Sequence, residues 1–95
     1  MAEQHRDNGK GPIILAAAGD YFDGGGRIAL VLWVGTLATG NRAVLSMRNG
    51  GNRLWGATYP DGVGASFTPY GLAFADGFHA AVLDAGELYV YLLEK

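Results

Sequence analysis

Sixteen glycines spread through 95 residues constrain this chain more than any other feature. They cut the apolar sequence into short runs. An interior glycine costs a helix about 1 kcal/mol, so strands joined by tight turns are expected and no helix is. The predicted strands cover 13–18, 28–38, 42–48, 53–59, 63–68, 72–75, 78–84 and 87–93. Their spacing predicts an all-β fold, an antiparallel β-sandwich or jelly-roll-like domain of about seven to eight short strands.

The turns between these runs have local causes. In "RNGGN" (48–52), Asn49, Gly50 and Gly51 accept the positive φ that a type I′ hairpin demands. In "YPDGVG" (59–64), Pro60 presets φ and Gly62 suits a left-handed corner. Further turns are expected at "TGN" (39–41), Asp76-Gly77 and Ala85-Gly86.

Facing follows from alternation. Over 42–48, Ala43, Leu45 and Met47 share one face, and Arg42, Val44, Ser46 and Arg48 share the other. Over 87–93, Leu88, Val90 and Leu92 form one face, against Glu87, Tyr89, Tyr91 and Leu93. The 28–38 segment opposes Val31, Trp33 and Leu37 to Leu30, Leu32 and Val34. Two strands apolar on both faces exceed what a two-layer sandwich needs. Either strand 13–18 or a loop covers the second face, or that face is a subunit interface, where Tyr and Trp are enriched.

One domain is expected, since a chain of this length buries only about 60–65% of its unfolded surface and could not divide that between two cores. That domain spans 12–95, behind a polar, aperiodic arm over 1–11 that reads as flexible. The chain is 49% hydrophobic and only 17% charged, which leaves apolar surface to spare and points to a partner. With no cysteine it can form neither a disulfide nor a thiolate metal site, and it suits a reducing cytosol. A net charge of -2 gives no general reason to expect nucleic acid as a partner. The longest apolar run, 28–38, is about half the roughly 20 residues a membrane span requires, so no membrane partner is expected. Near the start, "PIILAAAG" sits at or below the short end of a signal-peptide core, and Glu3 and Asp7 interrupt the preceding positive charge. No export signal is expected.

Catalysis has few candidates. The chain has two serines, Ser46 and Ser66, and two histidines, His5 and His79, while "GASFT" (64–68) is not a nucleophile elbow. His79 reads as a structural or surface residue, and no enzyme, catalytic residue, metal or cofactor is expected. Asp20 and Asp23 in "GDYFDGGGR" offer too few oxygens for calcium in any recognised spacing and read as turn residues. Arg42, Arg48 and Arg53 flank one predicted hairpin. Either they solubilise it, or they converge near its tip and meet a neighbour's acidic residues, Asp76, Asp84, Glu87 and Glu94, in a head-to-tail contact.

The stretch "FTPYGLAFADGFHAAVLDAGELYVYLLEK", with "GRIALVLWVGTLATGNRAVLSMRNGG" before it, resembles short bacteriophage structural proteins. In these, a G-x-x-F-x-x-G-φ-x-φ phrase precedes a final strand rich in Val and Tyr; here it is Gly71, Phe74, Gly77 and Phe78, then "ELYVYLLE". The resemblance implies a virion component of the capsid decoration or cement type, jelly-roll-like and often trimeric. Its partners would be the major capsid protein and further copies of itself. It would be made in the host cytoplasm and sit on the capsid surface. Candidate interface residues are then Trp33, Arg42, Arg48, Arg53, Trp55, Tyr89 and Tyr91. Two alternatives stand beside it. One is a minor tail or neck protein of the same particle. The other is a carbohydrate-binding sandwich, with Trp55, Tyr59 or Tyr70 stacked on sugar rings beside Arg53 and Asp61.

Overall fold

A computed structural model describes residues 4–5, 12–48, 51–67 and 69–93. They form β1 (Gln4–His5), β2 (Ile13–Leu15), β3 (Tyr21–Phe22), β4 (Gly26–Val34), β5 (Arg42–Met47), β6 (Arg53–Thr58), β7 (Gly64–Ser66), β8 (Leu72–Phe74), β9 (Phe78–Leu83) and β10 (Glu87–Leu92). The fold is an all-β, sandwich-like arrangement of two sheets, with no helix among the described residues. The first sheet runs β1-β3-β9-β5-β6, and the second runs β2-β10-β4-β7, with β8 also paired to β4. Every pairing is antiparallel except β1 with β3, which is parallel. The other residues of the expected arm, 1–3 and 6–11, lie outside the described residues.

Each predicted strand is present, with shifted ends. The 13–18 strand stops at Leu15 because the Asp20 carboxylate accepts the Ala16 and Ala17 N–H groups, at 2.9 and 3.1 Å, and so takes both donors out of the ladder. The 28–38 strand begins at Gly26 and stops at Val34, since the next residue, Gly35, has φ +123° and turns the chain out of the sheet. The 48–52 hairpin is closed by a Met47 N–H to Asn52 carbonyl bond of 2.8 Å, and positive φ falls on Gly51; Asn49 and Gly50 lie outside the described residues.

Asp20 is only 4% exposed, so its carboxylate holds the β2–β3 turn from inside. Replacing Asp20 by Ala strands two backbone donors. Urea unfolding followed by circular dichroism is expected to show a loss of about 1–3 kcal/mol. A loss within error would mean that solvent satisfies those donors.

The core lies between the sheets. Leu15, Ile28, Val31, Leu45, Phe78, Leu88 and Val90 are fully buried, each stabilising the fold by about 1.5–3 kcal/mol relative to exposure. Aromatic clusters flank this aliphatic centre. Toward the start of β4, Phe74 packs edge-on to Phe78 with ring centroids 5.0 Å apart, and Phe22 stacks on Phe78 at 5.2 Å. Toward its end, Trp33 meets Trp55 and Tyr59 edge-on, at 6.5 and 6.4 Å. β10 pairs with β2 on one side and β4 on the other, so the closing Val/Tyr segment is an interior strand, as its aliphatic face predicts.

Candidate functional site

Three bulges decide which side chains point outward. Ala29 is left over between the Tyr91–Leu30 and Leu92–Ile28 pairs, Leu54 between Leu45–Trp55 and Ser46–Arg53, and Ala81 between Val44–Val82 and Leu45–Ala80. The bulge in β4 lets Ile28 and Val31 both face the core although their separation is odd.

On the outer face of the first sheet, Tyr21, His79, Ser46 and Arg53 form one cross-strand row. Arg48 lies 3.7 Å over the Tyr21 ring centroid and pairs with Asp23 at 3.5 Å. The Arg53 side chain lies against Gly56 of its own strand, where a Cβ would overlap the guanidinium. Arg42 is at the opposite end of β5, where its backbone N–H donates to Asp84 Oδ2 at 2.7 Å. The three arginines therefore do not converge. The extended length of β5, roughly 15–20 Å, separates Arg42 from Arg48 and Arg53. Of the acidic residues expected to meet a neighbour, Asp84 is engaged within the chain by the Arg42 backbone, whereas Glu87 stands opposite Val34 at one end of the second sheet.

Ser46 and His79 are cross-strand neighbours, yet Ser46 is only 5% exposed. His79 Nδ1 is buried without a hydrogen-bond partner among the described residues. The Asp20 carboxylate holds a turn, in line with its reading as a turn residue, while Asp23 pairs with Arg48. Among the described residues no group of three His, Cys, Asp or Glu side chains converges as a metal site.

Two expected interface residues are interior. Trp33 is 3% and Trp55 8% exposed, and Trp33 Nε1 donates to the Ala85 carbonyl at 2.8 Å. Neither ring can meet a partner without unfolding its end of the sandwich. The same burial weakens the sugar-binding arrangement: Trp55 is buried and Tyr59 is partly buried against the core, which leaves Tyr70, 80% exposed, as the open ring of the three.

The outer face of the second sheet is different. Across it run Ile14, Tyr89, Leu32 and Gly64 in one row, and Tyr91, Leu30 and Ser66 in the next, with Val34 beside Glu87. The large apolar side chains among these are half-buried, and none of the described strands lies over them. β2 does not cover this face, as one expectation had it, because it pairs in plane at the edge of β10. Tyr89 and Tyr91 are thus where a contact surface would use them. Sequence reasoning grouped Leu30, Leu32 and Val34 on one side of their strand but did not single them out as site residues; their shared row with the tyrosines requires the β4–β10 register.

No family model, curated protein or solved structure matches this chain.

Proposed function

We propose that this chain is a structural protein of a phage virion, of the capsid decoration or cement type, which stabilises a shell through contacts and performs no chemistry. The observation that carries this reading is the apolar outer face of the second sheet, with Tyr89, Tyr91, Leu30, Leu32, Ile14 and Val34 in register. Partly exposed apolar side chains gathered in register on one sheet face mark a contact surface more often than apolar residues scattered singly. The partners in this reading are the major capsid protein and further copies of the chain, on the capsid surface. The resemblance in the closing 67–95 segment supplies the setting, and the face supplies the means.

Quantitative mass spectrometry of purified particles tests it. A copy number near that of the major shell protein, or a small fraction of it, fits decoration, whereas a handful of copies moves the protein to the tail or neck. Absence from particles overturns the reading. Leu32→Lys places a charge in the centre of the apolar face. It is expected to weaken retention on particles by about tenfold or more while leaving the unfolding midpoint within a few degrees, since the side chain is outside the core.

A further inference from the structure

We propose that the outer face of the second sheet receives a second copy of this chain, packed face to face about a two-fold axis that lies in the interface and runs across the strands. This rests on the reading of that face as a contact surface and names its occupant.

The charges at the two ends of the face select this partner. Arg27 is exposed beside the core residue Ile28 at the start of β4. A Cβ on Gly71 would meet both Leu93 Cδ1 and Arg27 Cβ, at 2.6 and 2.9 Å, so these three residues close that end of the face together. The Arg27 guanidinium is steadied there by donating to the Tyr70 carbonyl at 3.2 Å. Glu87 is opposite Val34 at the other end. At about 3.3 Å per residue the two charges are separated by roughly 20 Å of apolar sheet.

A two-fold axis across the strands reverses strand direction, and so sets Glu87 of each copy over the Arg27 end of the other. An axis along the strands would set Glu87 against Glu87. The first arrangement makes two opposite-charge contacts from one, as an isologous interface must. It also lays β10 across its own copy, so that Tyr89 of one chain approaches Tyr91 of the other. Stacked sheets sit about 10 Å apart, and the lateral step between β4 and β10 is about 4.8 Å, a distance that Arg and Glu side chains can bridge together.

At the centre of the face the Leu32 side chain leans along the sheet. Leu32 Cδ2 would lie 3.1 Å from a Cβ on Gly64, which means that the Leu32 side chain lies down over β7 instead of standing up from the sheet. Four strands give a face roughly 19 Å wide. Over the roughly 20 Å between the charges the footprint is roughly 400 Å² per copy, the size of weak, transient interfaces, so dissociation toward the high micromolar range is expected.

Sedimentation equilibrium of the purified chain up to about 1 mM tests the proposal, with thermal unfolding of every variant as the check on folding. The wild type is expected to dimerise. Arg27→Glu and Glu87→Arg are each expected to weaken the dimer at least about tenfold, because each sets like charges at both ends. An equimolar mixture of the two variants is expected to dimerise again, since one then carries two acids and the other two bases. A wild type that stays monomeric, or forms a trimer, overturns the proposal. So does a dimer that neither charge reversal weakens. A monomeric wild type that is nevertheless abundant in particles would sink this inference and leave the virion reading standing. A dimer with no particle association would do the reverse.

Discussion

Replacing Trp33 by Ala is expected to remove about 3–5 kcal/mol of folding stability, the range for deleting a buried large aromatic. A domain of this size is stabilised by about 5–14 kcal/mol in all, so the variant should be close to unfolding at physiological temperature. Trp33 contributes in two ways. Its ring forms the centre of the edge-on contacts with Trp55 and Tyr59, and its Nε1 donates to the Ala85 carbonyl in the turn before β10. Trp33→Phe separates the two, because it keeps an aromatic ring in the cluster but loses the donor. It should cost less than the Ala variant, with the lost hydrogen bond accounting for about 1 kcal/mol. Urea titrations followed by circular dichroism and by the remaining Trp55 fluorescence measure both. A Trp33→Ala loss below about 1 kcal/mol would contradict the interior position of this side chain.

Gly77→Ala is the second large effect, and its cause is the backbone. Gly77 has φ +94°, and a Cβ there would overlap the carbonyl oxygen of Phe22 and come within 3.0 Å of Asp23 Cα. Neither atom can swing away, since both belong to the chain where β3 pairs with β9. Left-handed backbone with a side chain costs about 1–2 kcal/mol, and displacing the two strands adds a comparable amount, so a loss of about 3 kcal/mol is expected. Gly40 provides a matched control. Its φ is +95°, but a Cβ there would meet nothing within 4 Å. Gly40→Ala should therefore show the conformational term alone, about 1–2 kcal/mol. Equal losses at the two positions would mean that the approach of β3 to residue 77 is looser than the structure has it.

Much of the fold was legible because strand alternation and glycine turns are local signals. The faces of β10 followed from Leu88 and Val90 against Tyr89 and Tyr91, with no knowledge of its neighbours. Gly62 takes the positive φ expected of its corner, and the turns expected at Asp76-Gly77 and Ala85-Gly86 are made with positive φ at Gly77 and Gly86. β1 and β3 escaped notice because two residues cannot show a period, and their pairing depends on partners distant in sequence. The candidate site was less legible. Tyr89 and Tyr91, expected from spacing as interface candidates, lie on the outer face of the second sheet, but Trp33 and Trp55 were placed with them although both are core. A tryptophan is equally at home in an interior and in an interface, provided its N–H has an acceptor, and the Ala85 carbonyl that supplies one is far along the chain.

The amino-acid sequence by itself determined the eight longer strands of this protein, its all-β class and the two-sided apolar character of β4 and β10, because periodicity and turn chemistry act over a few residues. Only the tertiary structure decided which of those two faces is core and which is surface. It also set the arginines apart along β5 and aligned Leu30 and Leu32 with the tyrosines of β10 while Arg27 and Glu87 mark opposite ends of the face. Those outcomes depend on strand order, register and one-residue bulges. Each is fixed by packing between segments that the sequence holds far apart.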